Sequence, residues 1–355
     1  MSNDIDEIRS ALRAMLGDTS TPEHVVAAES AGWNEGAWRV LRETGFAGIG
    51  VPESAGGSGG TLTEAAVVLG ELGRASASVP YAEHALIAGW LATRAGKQLD
   101  AQVATAAVAP GLSVAADETL RGTVQRVPWA RSADRIMVII PDDDGASVAV
   151  LAGDSVAITP GRNFADEARD RVDLDGVAPV ESWRIDADGL EQVRLRTAFA
   201  RAALIAGALA RVLELTVRYT GERVQFGRPI GRFQAVQRHV VKTAEQTSLA
   251  TMAVEAAAHG EREELDLPAA ASAKIVASQA ATISSAHSHQ AHGAIGMTKE
   301  YELGQLSRRL WSWRDEGGTA QHWSRRLGTA VAAAGTDAVW PLVSSGTDAA
   351  ARSRA

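Results

Sequence analysis

The chain has 355 residues, a net charge of −8 and 46% hydrophobic residues, which excludes a disordered chain and allows two or three domains with a packed core. It contains no cysteine, which excludes disulfides and thiolate metal sites and favours a cytoplasmic protein. Lys and Arg are too scattered to predict a nucleic-acid-binding face. No apolar run predicts a membrane span or a signal peptide.

Helical spacing dominates residues 1–103, which we predict to form an N-terminal helical domain. Apolar residues near the start recur three and four positions apart, as they do on one face of a helix. Thr21 and Pro22 provide an N-cap and a first-turn proline for the next helix. The later helical segments are residues 61–74 and 81–95, and a glycine-rich loop at 45–60 precedes them.

Between residues 104 and 188 the apolar period changes to that of strands, which predicts a middle β domain. Short strand-like runs with turns at intervals of about 8–12 residues indicate a small barrel or sandwich. Asp142–Gly145 has the composition of a hairpin turn and lacks the ligand spacing of a calcium loop. The strand-like runs are residues 103–109, 122–127, 135–140, 147–151, 155–159 and 171–174.

The helical period returns at residue 189 and holds to residue 335, which predicts a C-terminal four-helix bundle. Apolar residues from Phe199 to Leu209 follow helical spacing, and Pro268 is placed to open a later helix. Residues 336–355 are rich in Ala, Ser and Arg and are expected to form a frayed tail. The helices expected after the first are residues 233–259, 267–293 and 301–313.

The connection Glu222–Gln237 between two of these helices reads ERVQFGRPIGRFQAVQ. Arg223 and Gln225 can donate hydrogen bonds to a phosphate or a ribose, and Phe226 can stack on a base. Pro229 fixes a bend, while the glycines let the backbone approach a ligand closely. This composition suits a dinucleotide, although an ordinary Pro/Gly connection between helices is the alternative interpretation.

Two further segments carry motif-like patterns. Residues 41–60 read LRETGFAGIGVPESAGGSGG, and residues 290–321 read QAHGAIGMTKEYELGQLSRRLWSWRDEGGTAQ. In chain order, residues 41–60, 222–237 and 290–321 resemble the VPExxGGxG, RxQFGxPI…Q and QxxGGxG…EGTxQ motifs of the acyl-CoA dehydrogenase family. The three segments also have the order and spacing that these motifs have in the family. These are flavoproteins that oxidise acyl-CoA thioesters to 2-enoyl-CoA. The resemblance covers nearly the whole chain, with Ala294 in place of one glycine and Arg309 in place of an aspartate.

The resemblance implies an α+β fold with an N-terminal helical domain, a small middle β-barrel and a C-terminal four-helix bundle. It also implies FAD as cofactor, acyl-CoA as substrate and an electron-transferring flavoprotein as acceptor. In the family the loop reaches the FAD of a neighbouring chain, so a dimer or tetramer is expected. Carried over residue by residue, the cofactor-binding positions are Arg223, Gln225, Phe226, Gln234, Gln290, Gly293, Thr319 and Gln321.

The position of the catalytic base departs from the family pattern. The glutamate of EGTxQ, which removes the α-proton of the thioester in the family, falls on Gly317. Glu316 lies one residue earlier, and a shift of one residue turns a helical side chain by about 100°. Glu316 is therefore either a displaced base or a solvated acid that pairs with Arg314. The other family position for a base falls at about Thr197, which is not acidic.

The middle domain departs as well. The loop that covers the flavin in the family is missing after the first strand. Pro128 stands where a threonine would contact the flavin, and proline offers neither a hydroxyl nor an N–H. The adjacent Trp129 is expected to pack at the edge of the barrel. His287, His289 and His292 do not all share one helix face, so no metal site is predicted.

The chain therefore keeps the motifs that serve FAD across a subunit boundary and lacks those that hold the flavin ring in its own β domain. We expect the flavin-completing subunit of a heterotetrameric acyl-CoA dehydrogenase, paired with a homologous subunit, in fatty-acid or steroid side-chain catabolism. Two alternatives stay open. One is a self-sufficient homotetramer that uses Glu316 as base. The other is a non-catalytic acyl-CoA-binding or scaffold protein.

Overall fold

The computed structural model describes residues 2–99, 101–260, 263–298 and 301–345. The chain forms two compact units. The first contains the residues up to Val68 together with Ala77–Thr197. The second contains Leu69–Ser76 together with the residues from Ala198 onward. In the described part of the chain, no helix has the length and apolar character that crossing a bilayer requires.

The N-terminal part is helical, and polar side chains close the first turns of its helices. The helices are α1 (Ser2–Thr19), α2 (Pro22–Ala31), α3 (Glu35–Glu43) and α4 (Leu62–Arg74). The predicted cap of α2 is confirmed, because the backbone N–H of His24 donates to the Thr21 hydroxyl at 3.4 Å. At the start of α4, the backbone N–H of Thr61 donates to the Glu64 carboxylate at 2.8 Å, as in a capping box.

The helix predicted at residues 81–95 is instead a π-helix at Ala82–Gly89 that continues as α5 (Trp90–Arg94). Every residue of the π-helix is buried. The Tyr81 hydroxyl, just before it, donates to a loop carbonyl at 2.8 Å, and Nδ1 of His84 accepts a strand N–H at 3.0 Å. Burial lowers the pKa of His84 to about 4, which keeps the ring neutral and able to accept.

Two four-stranded sheets follow. Their strands are β1 (Ala104–Val108), β2 (Ser113–Val114), β3 (Leu120–Pro128), β4 (Arg135–Asp142), β5 (Gly145–Ala152), β6 (Ala157–Thr159), β7 (Arg169–Val177) and β8 (Glu181–Asp186). The sheet orders are β1-β4-β5-β8 and β2-β3-β7-β6, and β1 pairs with β4 in parallel. The predicted hairpin is confirmed, because Asp142 pairs with Gly145. The sequence pattern does not predict β2, which has only two residues, or β8, which is mostly exposed.

The core of the first unit lies against the inner face of the β1-β4-β5-β8 sheet. Alternate residues of β4 and β5 enter it, as the two-residue period of a strand requires. Each large aliphatic side chain buried there contributes about 1.5–3 kcal/mol. The larger members of this cluster are Ile87, Leu91, Met137, Ile139, Val148, Val150, Ile185, Leu190 and Val193.

The second unit is mainly helical. Its elements are α6 (Ala187–Glu222), which begins in the first unit, β9 (Val224–Gln225), β10 (Arg228–Pro229), α7 (Gln234–Ala258), α8 (Leu267–His292), α9 (Glu302–Trp313), α10 (Ala320–Ala334) and α11 (Val339–Ser345). Pro268 lies in the first turn of α8, as predicted, and Asp266 caps that helix by accepting from a backbone N–H at 2.7 Å. Of the predicted tail, residues 346–355 lie outside the described residues.

Glycines let α4 and α6 approach backbone to backbone. A Cβ added at Gly207 would lie 1.8 Å from the carbonyl oxygen of Gly70. A Cβ at Gly73 would lie 2.1 Å from the carbonyl oxygen of Leu204. Both distances are far inside van der Waals contact, so any side chain at Gly207 or Gly73 would force the two helices apart.

The predicted order of elements is confirmed: N-terminal helices, central sheets and C-terminal helices. The first strand begins at Ala104 and the long helix α6 begins at Ala187. The α+β architecture therefore follows the two changes of apolar period in the sequence.

Candidate functional site

The Glu222–Gln237 connection contains a small exposed hairpin. Gln225 pairs with Arg228, and Phe226 and Gly227 form the turn with φ values of +53° and +78°. The left-handed region costs energy for a phenylalanine. The Phe226 side chain is nevertheless 90% exposed, and its ring centroid lies 6.0 Å from that of Phe233. A large ring held in solvent by a strained turn indicates a surface that another molecule covers.

The same connection carries three exposed arginines: Arg223, Arg228 and Arg232. Within the described ranges, none of them forms an ion pair with a carboxylate. The Arg228 guanidinium lies 4.3 Å from the Phe233 ring centroid, as in a cation–π contact. Guanidinium groups without a counter-charge, on a chain of net charge −8, offer hydrogen-bond donors that match a phosphate.

The start of α7 and the end of α8 lie side by side. Nδ1 of His239 on α7 is 2.8 Å from Nδ1 of His287 on α8. Gln234 is the first residue of α7, and Gln290 lies in the last turn of α8; both are exposed. Gly293 ends α8 with φ +65°, a conformation that favours glycine. The structure thus brings Gln234, Gln290 and Gly293 to one end of this helix pair.

Thr319 and Gln321 lie near the opposite end of α8, at the start of α10. Lys274, near the start of α8, donates to two backbone carbonyls at the end of α9, at 2.8 and 2.7 Å. Thr319 follows that end by a short turn and caps α10, and Gln321 is exposed in the first turn of α10. Lys274 and Gln290 are separated by about 16 residues, or roughly 24 Å of helix. The predicted cofactor residues are therefore divided between two ends of α8.

Glu316, the candidate base, lies in a nearly buried ion pair. Nε of Arg201 on α6 donates to its carboxylate at 3.0 Å, and the two side chains are 6% and 10% exposed. The partner of Glu316 is therefore Arg201 and not Arg314, whose guanidinium lies 3.7 Å from the Trp311 ring centroid. An ion pair favours the charged form of a carboxylate, which weakens it as a proton acceptor.

Lys274 is a buried residue that the motif comparison does not reveal. Burial is the main cause that lowers its pKa to about 7, and Arg201 adds to this effect while Glu316 and Asp315 oppose it. The hydroxyl of Ser278 accepts a third hydrogen bond at 3.1 Å. A signal was present in the sequence, since Lys274 is the only lysine, arginine or acidic residue within α8.

The turn that departs from the family pattern in the β domain is filled by its own side chains. Trp129 is 3% exposed, and its Nε1 donates to the Glu83 carboxylate at 3.0 Å. The Arg169 guanidinium lies 5.2 Å from the Trp129 ring centroid and donates to Glu167 at 3.1 Å. The packing expected for Trp129 is confirmed. The turn presents Pro128 and a buried indole, so its residues do not fit a flavin ring.

The histidines near the end of α8 have hydrogen-bond partners within the protein. The ring of His292 stacks on Tyr219 with centroids 4.7 Å apart, and its Nδ1 lies 2.8 Å from a backbone carbonyl. Burial lowers the pKa of both His289 and His292. Across the described segments, no three His, Asp or Glu side chains come together as metal ligands would.

Comparisons with known proteins show which family the chain resembles along its length. Residues 2–103 match the family described as "Acyl-CoA dehydrogenase, N-terminal domain", and residues 187–331 match "Acyl-CoA dehydrogenase, C-terminal domain". Over 311 residues the chain is 30% identical to the acyl-CoA dehydrogenase IpdE2 of Mycolicibacterium smegmatis, which covers 85% of this chain and 91% of that protein.

Two solved structures share the fold over nearly the whole chain. One is the ChsE4-ChsE5 complex from Mycobacterium tuberculosis, with a TM-score of 0.78, 24% identity and coverage of 92% of this chain and 97% of that chain. The other is a variant of the Tcur3481-Tcur3483 steroid ACAD, with a TM-score of 0.79, 24% identity and the same coverage of 92% and 97%.

Proposed function

We propose, from the premise that this chain belongs to the acyl-CoA dehydrogenase family, that it is the flavin-completing subunit of a heteromeric acyl-CoA dehydrogenase. Enzymes of this family are oxidoreductases that act on the CH–CH group of acyl-CoA thioesters and use FAD. In the proposed enzyme this chain supplies part of a flavin site. A homologous subunit supplies the rest of that site and the catalytic base.

The observation that carries the proposal is a difference in exposure between two flavin-related regions. Phe226 is 90% exposed, and Arg223 beside it is also exposed. In the β domain, by contrast, Trp129 is 3% exposed and hydrogen-bonded to a buried carboxylate. A chain that held the flavin ring in its own β domain would need open space and free donors at that turn. The exposed hairpin instead suits a flavin held mainly by another chain.

The roles of the exposed residues follow from their chemistry. Arg223 and Gln225 donate hydrogen bonds to phosphate or ribose oxygens, and Phe226 packs on a flat ring. Gln234 and Gln290, at the shared end of α7 and α8, add amide donors and acceptors. The remaining proposed contacts are Gly293, Thr319 and Gln321. When bound, FAD accepts the hydride that leaves the acyl chain.

The base is assigned to the partner because this chain offers no free acid at either family position. Gly317 occupies one position and Thr197 the other. Glu316 faces Arg201 at 3.0 Å in a nearly buried pair. A base needs a carboxylate within hydrogen-bond reach of the substrate proton, and a carboxylate already engaged by a guanidinium is a poor acceptor.

The proposed substrate is an acyl-CoA, with an electron-transferring flavoprotein as electron acceptor. The steroid ACAD among the similar structures and the actinobacterial relatives favour an acyl group from steroid side-chain or fatty-acid breakdown. The two-chain ChsE4-ChsE5 complex supports a hetero-oligomer, as a dimer or tetramer. The absence of cysteine supports a cytoplasmic enzyme.

The test is the flavin content of the chain purified alone and after co-expression with a homologous acyl-CoA dehydrogenase subunit that keeps the EGT glutamate. We expect a colourless lone chain and a yellow complex with about one flavin per pair of chains, because each chain supplies part of the site. Flavin content is measured from the visible absorbance of both samples.

Two results would count against the proposal. A lone chain with about one flavin per chain would support the self-sufficient homotetramer. In that case loss of turnover in Glu316→Gln would identify Glu316 as its base. A complex without flavin would leave the non-catalytic acyl-CoA-binding or scaffold role.

A further inference from the structure

Two histidines face each other between α7 and α8. Nδ1 of His239 lies 2.8 Å from Nδ1 of His287, and the ring centroids are 5.0 Å apart with the planes tilted by 48°. Both side chains are partly buried. A separation of 2.8 Å is a hydrogen-bond distance and is too short for two nitrogens that both carry a proton. The contact therefore requires that one Nδ1 donates and the other accepts.

This requirement ties the contact to the protonation state of the pair. When only one of the two Nδ1 atoms carries a proton, its N–H donates to the other Nδ1 and the hydrogen bond forms. When both rings are imidazolium, two N–H groups and two positive charges face each other, so attraction becomes repulsion. The contact between α7 and α8 at this point is thus stable near neutral pH and unstable in acid.

The surrounding charges oppose the second proton. Burial comes first among the causes that lower the pKa of His287, followed by His239, Lys242 and Arg238. The three charged or titratable neighbours that act on His287 all lie on α7. Lys242 also pairs with Glu245 at 2.9 Å, which holds its ammonium on that face of the helix. Burial and these neighbours therefore move proton uptake by His287 to a lower pH.

The pair lies next to proposed flavin contacts on both helices. His239 follows Gln234 by little more than one turn of α7, and His287 precedes Gln290 by less than one turn of α8. A change in the distance between the two rings therefore moves the two glutamines relative to each other. The arginine-bearing hairpin joins directly to the start of α7 through Phe233.

We propose that His239 and His287 are positioning residues, whose shared proton holds the flavin-binding end of α7 and α8 together and whose second proton releases it. This proposal rests on the proposed function, since it names the residues that set the geometry of that flavin site. Acidification then weakens flavin binding, and flavin binding opposes uptake of the second proton by reciprocal linkage.

The experiment measures the affinity of the two-chain complex for FAD between pH 7.5 and pH 5.5, with FAD fluorescence as the signal. We expect wild-type affinity to fall about tenfold over this range, the effect of losing one partly buried hydrogen bond. His287→Asn keeps a polar group without a titratable charge, so most of the fall should disappear. His287→Lys places a permanent charge beside His239 and should bind FAD weakly at both ends of the range.

The matched control is His259→Lys at the exposed far end of α7, which should bind FAD as the wild type does. An unchanged fall in His287→Asn would overturn the proposal, as would wild-type affinity at pH 7.5 in His287→Lys. If the lone chain binds FAD by itself, the same titration on the lone chain decides the question.

If neither the complex nor the lone chain binds FAD, amide hydrogen exchange of the lone chain tests the positioning role of the two histidines independently of the proposed function. Acidification should then lower the protection factors of residues 235–241 and 285–291 in the wild type and not in His287→Asn. Equal protection in the two proteins would overturn the positioning role while leaving the flavin assignment to its own test.

Discussion

Charged side chains are buried near one end of α8, and glutamine side chains are exposed at the other. At the start of the helix, Lys274 is fully buried and donates to two carbonyls, and the Arg201–Glu316 pair beside it is nearly buried. At the other end, Gln290 is exposed, and the adjoining start of α7 carries Gln234 in the same state. Buried polar groups with partners hold a shape, whereas exposed groups without partners are free to bind. The buried cluster at the first end suits stability, and the exposed glutamines at the second end suit recognition.

The largest expected effect comes from breaking the buried ion pair. Arg201→Met removes the guanidinium from a nearly buried ion pair with Glu316, so we expect a loss of about 3–5 kcal/mol in the free energy of unfolding. Chemical denaturation measures it. The control is Arg194→Met, which breaks a more exposed pair with Glu191, with side chains 46% and 25% exposed, and should change stability by less than about 0.5 kcal/mol. Equal losses in the two variants would show that burial of the ion pair does not set the size of the loss.

The next largest effect is a pH dependence of the free energy of unfolding that Lys274 causes. Its pKa of about 7 lies below the ordinary value of 10.5, so above pH 7 the unfolded chain binds the proton more tightly than the folded chain. Stability should therefore fall as the pH drops toward 7, by up to about 1.4 kcal/mol per pH unit, and then level off. Denaturation of the wild type minus that of Lys274→Met isolates this slope. A difference that stays flat from pH 7 to 9.5 would contradict it.

On the exposed hairpin that precedes α7, a substitution should lower the affinity for FAD and leave the free energy of unfolding unchanged. Arg223→Ala removes an exposed guanidinium, so the free energy of unfolding of the lone chain should change by less than about 0.5 kcal/mol. In the complex it removes a charge-assisted hydrogen bond, and we expect FAD affinity to fall about tenfold or more. Fluorescence titration measures the affinity. Arg39→Ala, an exposed arginine on α3, serves as the control and should alter neither quantity.

The smallest effect tests whether the hairpin turn is strained for the sake of binding. Phe226 has φ +53°, and asparagine accepts this conformation more readily than phenylalanine. Phe226→Asn should stabilise the lone chain by about 0.5–1 kcal/mol while weakening FAD binding in the complex. Thermal unfolding and flavin content report the two changes. A variant that loses stability and keeps its flavin would show that the ring serves the fold and not the ligand.

Local signals account for most of the fold that could be predicted. Thr21 with Pro22, Asp142–Gly145 and Pro268 each shape a backbone within a few residues, so their sequence alone predicts a cap, a hairpin and a helix start. The strand β8 escapes prediction because it is polar and mostly exposed. The π-helix escapes it because the partners of its buried side chains come from distant segments, as the contact between Glu83 and Trp129 shows.

The candidate site divides in the same way. The connection around Phe226 is predicted as a ligand-binding segment because its Arg, Gln, Phe, Gly and Pro residues lie close together in the sequence. The partner of Glu316 is not predicted, because Arg201 is 115 residues away and Arg314 is only two. Proximity in the sequence favoured the wrong arginine. Lys274 lies outside the three motifs, so the sequence marks it only as a lone charge in an alanine-rich helix.

The close crossing of α4 and α6 has a consequence for biosynthesis. Leu69–Ser76 belongs to the second unit, yet its backbone partners around Leu204 and Gly207 emerge from the ribosome about 130 residues later. At translation rates of 5–20 residues per second this interval is roughly 7–26 s. Leu69 and Leu72, which are buried in the finished protein, spend it without those partners. We therefore expect these two leucines to favour aggregation of the nascent chain until α6 has been made.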